Sequence, residues 1–344
     1  MAVCEKDSFT FVTLTYNHSG YIIEHLESIK YQIEKNGEDY NVSLVLADDH
    51  SHDNTIELVR RWVARNVGLF AKVSIFASDR NSGTCVNYVK ALEAVDAQWF
   101  KVLAGDDVYA ISDIFSLVRE TERYSFVSGV PLILEGPALH FSKTLTLNMI
   151  ATDAIYQNHF GDAMRNFSSI HTPSLAYGRT LVDDERIKEF IKNYILVEDF
   201  AMQIKACEVN PNISYKLIPE VYVYYRRTNN SAYIIKNDKF LDDKRRLYKY
   251  LASKESSIIK KVLLHNRIFC LGLINKALKM LFNLNAYVYF CLVAINVLKI
   301  LRKYNSVNVD IEMHKVHYQK IKDAAACFLN EAIQDCSATL ASVR

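Results

Sequence analysis

Residues 42–55 read VSLVLADDHSHDNT, an apolar and β-branched run that stops at two adjacent aspartates. Such a run, bounded by polar turn residues, predicts a buried β-strand over residues 42–47. After the acids, Ile56, Val59 and Val63 recur at helical spacing and predict a helix with one apolar face. The segment therefore predicts a strand, an acidic loop and a helix, in that order.

The same alternation continues on both sides of this segment. Strands are predicted over residues 9–15, 72–77 and 98–104. Between them we expect one helix capped by Ser19 and another over residues 83–95. Strands that alternate with helices of this length are typical of βαβ units. The sequence thus predicts an α/β fold with a mostly parallel sheet flanked by helices.

The pattern is less regular between about residue 125 and residue 240. Extended segments are predicted over residues 125–135 and 171–178, and a helix near residues 181–192. A further helix is expected to begin at Glu198, and a hairpin is expected to pair residues 213–218 with residues 221–225.

Composition excludes several classes of protein. The 344 residues are 50% hydrophobic and 23% charged, as in ordinary globular proteins. A net charge of +2 argues against a protein that binds nucleic acid. Seven scattered cysteines lack metal-ligand spacing and are expected to be buried thiols. Without an apolar leader before Phe9, a cytoplasmic location is expected.

Polar clusters follow three of the predicted strands. In parallel sheets, ligands bind at the carboxyl ends of the strands. The clusters are Tyr16-Asn17, Asp48-Asp49 and Asp106-Asp107. A helix cap by Ser51 or Asp53 is the alternative for the second cluster, although it would explain one acid and not two.

The pair Asp106-Asp107 favours a metal site. Two adjacent carboxylates at the end of a buried strand repel each other unless a cation lies between them. Carboxylate oxygen is the ligand that Mg²⁺ and Mn²⁺ prefer. A solvated turn is the alternative.

Glu198 and Asp199 follow an apolar run and open a predicted helix. A carboxylate partly buried there could act as a general base. Both acids could instead complement the helix dipole.

These motifs, taken together, resemble family 2 glycosyltransferases of the GT-A fold. The resemblance covers roughly residues 8–232 and runs in the order YN, DDHSHDNT, RNSGTCVN, LAGDD, VEDF and YRRTNNS. It implies an inverting enzyme that uses a nucleotide-diphosphate sugar, most plausibly a UDP-sugar, with Mn²⁺ or Mg²⁺. The implied acceptor is a glycan or lipid-linked glycan in surface polysaccharide synthesis, such as capsule or O-antigen.

The resemblance also implies roles for single residues. Asp199 matches the general base, with Glu198 beside it, and Asp107 is expected to bind the metal together with Asp106. Residues expected to contact the donor are Tyr16, Asn17, Asp48, Asp49, Asn81, Asn87, Asp106, Arg226 and Ser231. The chain departs from the family at Ala104, where many members have an acid, and at Thr228, where a histidine is common.

The C-terminal third has a different character. We expect a catalytic domain over residues 1–240, with a nucleotide-sugar half over 8–125 and an acceptor half over 126–240. Residues 241–344 are expected to be helical. The apolar stretch 284–301 is compatible with core helices, with an interfacial helix at a membrane surface, or with a marginal membrane span.

Two competing functions stay open at this point. A sugar nucleotidyltransferase would want a basic, glycine-rich loop after the first strand, which residues 16–20 do not provide. A non-catalytic module that binds a glycan or a protein partner on the same fold is supported only by the missing acid at residue 104.

Overall fold

The computed structural model describes residues 6–228 and 238–342, with side chains up to residue 331. The strands are β1 (Asp7–Thr15), β2 (Tyr40–Asp48), β3 (Lys72–Ala77), β4 (Trp99–Ala104), β5 (Val108–Tyr109), β6 (Phe126–Glu135), β7 (Ala138–His140), β8 (Leu175–Tyr177) and β9 (Tyr215–Arg226). The helices up to residue 254 are α1 (Ile22–Asn36), α2 (Thr55–Asn66), α3 (Thr84–Glu93), α4 (Ile114–Arg119), α5 (Lys143–Tyr156), α6 (Phe160–Arg165), α7 (Arg179–Val182), α8 (Glu185–Ile191), α9 (Glu198–Val209) and α10 (Asp238–Lys254). Those that follow are α11 (Ile258–Gly272), α12 (Lys276–Phe282), α13 (Leu284–Ile295), α14 (Val297–Asn305) and α15 (Ile311–Ser342).

The first half of the chain forms a parallel sheet in the order β3-β2-β1-β4. Each crossover carries a helix, as the alternating pattern predicted. The central strands are apolar on both faces because helices cover both: Phe11 and Val12, neighbours in β1, are both fully buried. The four strands and the helices between them are confirmed.

A second sheet has the order β5-β9-β6-β7, and β8 also pairs with β6. β6 and β9 are parallel, whereas the other pairs in this sheet are antiparallel. The molecule therefore has a mixed arrangement, with the parallel part where the sequence predicted it.

The predicted hairpin is wrong, because residues 215–226 form the single strand β9. Pro219 lies between the two predicted strands of that hairpin. The register against β6 shifts between Leu217 and Val221, so the proline lies in an irregular part of the ladder. A proline lacks the N–H for a regular ladder and is tolerated at such a place.

Two predicted helix starts also differ. Ser19 does not cap α1, which begins at Ile22 without a side-chain cap; the Ser19 N–H instead donates to Asp53 Oδ2 at 3.0 Å. The helix predicted near residues 181–192 is split into α7 and α8, because Asp184 caps α8 by accepting the Arg186 N–H at 2.9 Å.

The C-terminal helices pack onto the sheets and their helices. Leu247 and Leu251 of α10 and Leu264 of α11 belong to the core that also contains β6 and α9. Phe328 of α15 packs in the core beneath β1. The predicted domain boundary at residue 240 stays a prediction.

The cysteines differ in how far their thiols are buried. Cys85 and Cys270 are buried, but Cys291 and Cys327 are exposed, so the expectation of buried thiols is wrong for these two.

Among the described helices, none is long and apolar enough by itself to cross a membrane. The pair α12 and α13 meets the length and composition test only jointly, with a bend of 61° between them.

Candidate active site

The carboxyl ends of β1, β2 and β4 lie at one edge of the first sheet, because these strands are parallel neighbours. The loop after β4 approaches the end of β1, where the Gly105 N–H donates to the Leu14 carbonyl at 2.8 Å. A Cβ at Gly105 would lie 2.8 Å from Ile22 Cδ1, so glycine allows this close approach without a shift of the Ile22 side chain. The acidic turn of Asp106 and Asp107 is thereby held against the end of β1.

The two acids of this turn differ in burial and in partners. Asp107 is 1% exposed, and its Oδ1 accepts the Arg226 N–H at 2.8 Å. Burial, and then the charge of Asp106, raise the pKa of Asp107 well above its usual range. The Asp106 side chain is 18% exposed, with Oδ1 4.0 Å from His18 Nε2. Asp106 is thus the more accessible acid of the pair.

The Arg226 side chain ties the acidic turn to two helices. Its Nε donates to the Asp106 carbonyl at 2.6 Å, and its Nη2 donates to Glu24 Oε2 in α1 at 2.6 Å. Tyr318 of α15 donates its hydroxyl to the same Glu24 oxygen at 2.8 Å. Arg226 therefore acts in the structure as a buried brace, and its predicted contact with a diphosphate stays a prediction.

Removal of the Glu24 carboxylate is expected to destabilise the fold strongly. The Arg226 side chain is 5% exposed, and loss of one partner of a buried ion pair costs about 3–5 kcal/mol. We expect Glu24→Ala to lower the free energy of unfolding, measured with urea, by that amount. Glu135→Ala is the matched control, because its partner Arg227 is 42% exposed and such pairs contribute about 0–1 kcal/mol. If both variants lose the same free energy of unfolding, the buried pair of Glu24 and Arg226 stabilises the fold no more than an exposed pair does.

The loops after β1 and β2 are joined by side-chain hydrogen bonds. Asn17 Oδ1 accepts the His52 N–H at 2.8 Å, and the Asn17 N–H donates to Ser51 Oγ at 2.8 Å. Asp48 accepts the Ser51 N–H at 2.8 Å. Asn17 and His50 have positive φ values of 55° and 69°, a strained conformation that clusters at functional sites. Asn17 and Asp48 thus shape this edge, and their predicted contact with the donor stays a prediction.

Asp49 holds the start of α3. Its two carboxylate oxygens accept the N–H groups of Ser82 and Gly83 at 2.7 and 2.9 Å. Gly83 has a φ of 88°, and a Cβ there would lie 2.9 Å from the Ile195 carbonyl. The Cys85 N–H donates to the same carbonyl at 3.1 Å. The loop held by Asp49 therefore touches the segment that leads to Glu198 and α9.

The remaining predicted donor contacts differ in accessibility. Tyr16, at the end of β1, is 42% exposed, and Asn81 is also exposed. Asn87 is buried, and its Nδ2 donates to the Ala47 carbonyl at 2.9 Å. Ser231 lies outside the described residues. Tyr16 and Asn81 are thus open to a ligand, whereas the Asn87 amide is engaged with β2.

Asp199 lies in the first turn of α9, where two groups orient its carboxylate. Thr172 donates its hydroxyl to Asp199 Oδ2 at 2.5 Å, and the Phe200 N–H donates to Oδ1 at 2.6 Å. Burial, and then the charge of Asp199, raise the pKa of Glu198 to about 8. At neutral pH Glu198 therefore holds a proton, so that Asp199 is the candidate base of this pair.

Lys101 connects the Asp199 end of the site with the acidic turn. It lies in β4, is 1% exposed, and donates from Nζ to the Pro173 carbonyl at 2.9 Å. Burial lowers its pKa to about 7, against the opposing charge of Asp107. Pro173 follows Thr172, the partner of Asp199, so β4, which leads to the acidic turn, contacts the segment that orients Asp199.

The sequence did not single out Glu24, Thr172, Lys101 or Tyr318. A lysine within the apolar run WFKVLA is a signal that could have identified Lys101. Nothing in the local sequence marks the other three, since their partners are distant in the chain.

The residues of the acidic turn fit a divalent cation only together with a ligand. Among the side chains of residues 6–228 and 238–331, no group of three or more His, Cys, Asp and Glu could hold a metal ion. Mg²⁺ in nucleotide sites usually needs only one or two carboxylates, since substrate phosphates complete its shell. Asp106 suits that arrangement.

Comparison with known proteins begins with the sequence. Residues 10–172 match the family model described as glycosyl transferase family 2. The uncharacterized glycosyltransferase MG060 of Mycoplasma genitalium is 24% identical over 115 residues, which are 33% of this chain and 37% of that protein. The matched segment thus spans little more than a third of this relative.

Solved structures are similar over most of the chain. S. aureus TarS 1-349 in complex with UDP-GlcNAc has a TM-score of 0.52 at 16% identity and covers 92% of each chain. The mannosyltransferase PcManGT from Pyrobaculum calidifontis, in complex with GDP-Man and Mn²⁺, has a TM-score of 0.54 at 16% identity. That match covers 95% of this chain and 88% of PcManGT. These likenesses confirm the predicted GT-A type fold with its helical C-terminal region.

Proposed function

Because residues 10–172 form a glycosyl transferase family 2 domain, we propose that this protein transfers a sugar from a nucleotide-diphosphate sugar to an acceptor hydroxyl. The transfer inverts the anomeric configuration. One observation carries the proposal: Asp106 lies in the turn directly after β4, and Lys101 within β4 donates to the carbonyl of Pro173, the neighbour of the Thr172 that orients Asp199. Such a site can hold a donor at one side and deprotonate an acceptor at the other.

Asp106 is the proposed contact to a divalent cation on the donor side. Its carboxylate is accessible, whereas Asp107 is buried and accepts a backbone N–H from Arg226. A bound Mn²⁺ or Mg²⁺ would neutralise the charge that develops on the diphosphate leaving group. The exposed Tyr16 ring is proposed to contact the base of the nucleotide.

Asp199 is the proposed general base. Thr172 and the Phe200 N–H fix the direction of its carboxylate, whereas burial raises the pKa of the neighbouring Glu198 to about 8. Removal of the acceptor proton by a positioned carboxylate is an ordinary contribution to group transfer. In-line displacement then requires no covalent intermediate on the enzyme.

The donor and the acceptor are narrower proposals. We propose a UDP-sugar as the donor, which is supported by the likeness to TarS in complex with UDP-GlcNAc. PcManGT, in complex with GDP-Man, shows that the same fold also accepts a guanine nucleotide. The proposed acceptor is a glycan or lipid-linked glycan of surface polysaccharide synthesis.

Selective stabilisation by a nucleotide sugar is the expected result that tests the proposal. A ligand at one hundred times its Kd stabilises a folded protein by about 2.7 kcal/mol. We expect one UDP-sugar from a panel of UDP- and GDP-sugars to raise the melting temperature with Mn²⁺, and to do so much less with EDTA. Free UMP is the control for nucleotide binding alone. No shift with any nucleotide sugar in Mn²⁺ would contradict the proposed activity.

A further inference from the structure

Helices α11 to α14 expose an unusual amount of apolar side chain. Of the 24 large apolar side chains that are exposed among the described residues, 16 lie between residues 258 and 301. We call this set the apolar helix surface; its members are Ile258, Ile259, Val262, Phe269, Ile274, Leu278, Met280, Leu281, Phe282, Leu284, Tyr287, Phe290, Ile295, Val297, Leu298 and Leu301. Exposed apolar patches of such extent mark contact sites for proteins or membranes.

α13 exposes apolar side chains on its outer face, unlike an ordinary surface helix in water. Leu284, Tyr287, Cys291 and Ile295 recur every three to four residues, and all are exposed. Asn285, on the inner side, is 1% exposed, and its Nδ2 donates to the Leu263 carbonyl at 2.9 Å. A helix that packs on a protein core normally turns its apolar stripe inward. α13 does so with Tyr289, Leu292 and Val293, and it exposes apolar side chains on its outer face as well.

The charged residues within 256–309 are all basic, and two of them, Lys260 and Lys303, pair with Asp162 and Asp153 elsewhere in the chain. Residues 256–309 contain eight Lys or Arg and no Asp or Glu, so the rest of the chain carries a net charge of −6. Lys261, Lys276, Lys279 and Arg302 are exposed. None of these four forms an ion pair with an acid within the described part of the chain. Such residues attract anionic lipid headgroups when they lie beside apolar side chains.

We propose that the apolar helix surface docks in the plane of an anionic lipid bilayer, with its apolar side chains at the boundary between headgroups and acyl chains. The 61° bend between α12 and α13 suits helices that lie along a surface. The proposal concerns binding alone and does not depend on the proposed glycosyl transfer.

A second copy of the chain fits this surface less well. Contact between two copies would bring together the exposed Lys261, Lys276, Lys279 and Arg302 of each copy, with no acid between residues 256 and 309 to offset them. Like charges that face each other across an interface are unfavourable. An anionic bilayer neutralises the same residues.

The apolar helix surface adjoins the Asp199 end of the candidate active site. The ring of Phe200, the neighbour of Asp199, lies 5.7 Å from the ring of Tyr248 in α10, and the Arg267 guanidinium of α11 lies over the same Tyr248 ring at 4.5 Å. A docked protein would hold its acceptor side next to the headgroups, which suits an acceptor carried on lipid.

Vesicle binding by the full-length protein tests the proposal. We expect co-flotation with phosphatidylcholine vesicles that contain 30% phosphatidylglycerol, and at least tenfold weaker partitioning onto pure phosphatidylcholine. The variant Ile274→Glu/Met280→Glu/Ile295→Glu should lose at least tenfold in partitioning. Its three sites are 88%, 75% and 79% exposed, so the melting temperature should be retained. Val67→Glu, at a 61% exposed apolar residue outside this surface, is the control and should bind as the wild type does.

Charge reversal separates the basic residues from the apolar ones. Lys276→Glu/Lys279→Glu should weaken binding to anionic vesicles, whereas Lys35→Glu/Lys143→Glu, at exposed sites elsewhere, should not. Equal binding to both vesicle types by every variant would overturn the proposal. So would a wild type that fails to float but forms a dimer that the triple glutamate variant abolishes, since the surface would then be an interface between copies.

Discussion

Replacement of Asp199 by asparagine is expected to lower kcat by about 10²–10⁴-fold, the usual contribution of general acid–base catalysis. Asparagine keeps the shape of the side chain and can still accept the Thr172 hydroxyl, but it takes no proton from the acceptor. The donor KM should change little, because Asp199 is not among the residues proposed to bind the nucleotide. Release of nucleoside diphosphate in the presence of acceptor measures the effect.

Glu198→Gln is the matched control for this prediction. Burial raises the pKa of Glu198 to about 8, so the side chain is mostly neutral at pH 7 and glutamine reproduces its charge. We expect kcat to stay close to the wild-type value at pH 7. A loss as large as that of Asp199→Asn would show that Glu198, and not Asp199, carries the reaction.

Asp106→Asn is expected to remove the dependence of donor binding on Mn²⁺. With the wild type, donor at one hundred times its Kd should stabilise the fold by about 2.7 kcal/mol in Mn²⁺. The variant should lose most of that increment because it lacks the accessible negative charge of the acidic turn. The melting temperature of the variant without donor should change little. The Asp106 carboxylate is partly exposed, and its separation of 4.0 Å from His18 Nε2 is too long for a hydrogen bond.

Asp107→Asn distinguishes the two acids of the turn. Its side chain is buried, and Oδ1 accepts the Arg226 N–H; asparagine keeps an oxygen that can accept this bond, so the substitution should leave both the fold and the response to Mn²⁺ in place. If Asp107→Asn instead abolishes the response and Asp106→Asn preserves it, the metal contact is Asp107, as the family resemblance implies.

The first sheet could be predicted from the sequence because its information is local. β3 has the predicted bounds, Lys72–Ala77, and β4 begins within one residue of the predicted strand. Each of these strands is a short apolar run that ends at polar residues. Parallel pairing then places the ends of β1, β2 and β4 at one edge, which is why the acidic pairs after them were recognisable as site candidates.

Features that depend on distant residues could not be predicted. Pro219 looks like a turn in its local sequence, but pairing with β6 keeps the chain extended through it. Arg226 is 202 residues away from its partner Glu24 in the sequence. Tyr318, which donates to the same Glu24 carboxylate, is 294 residues away from it. Residues so far apart carry no spacing signal. The pairing of Arg226 with Glu24 could therefore not be predicted, whereas its contact with a diphosphate stays a prediction.

The apolar helices illustrate a different limit. The sequence left core helices, an interfacial helix and a span as alternatives for residues 284–301. Periodicity locates an apolar face but does not say what covers it. The exposure of Leu284, Tyr287 and Ile295 in the folded chain favours the interfacial alternative, on which the proposed membrane docking rests.

The central claim is that donor binding and proton removal belong to two carboxylates of one site. The most direct measurement compares Mn²⁺-dependent donor binding and nucleoside diphosphate release, side by side, in Asp106→Asn and Asp199→Asn. The account predicts that Asp199→Asn binds donor as the wild type does but turns it over at least 100-fold more slowly, whereas Asp106→Asn loses the Mn²⁺-dependent binding itself. Full turnover by Asp199→Asn, or unchanged Mn²⁺-dependent binding by Asp106→Asn, would contradict it.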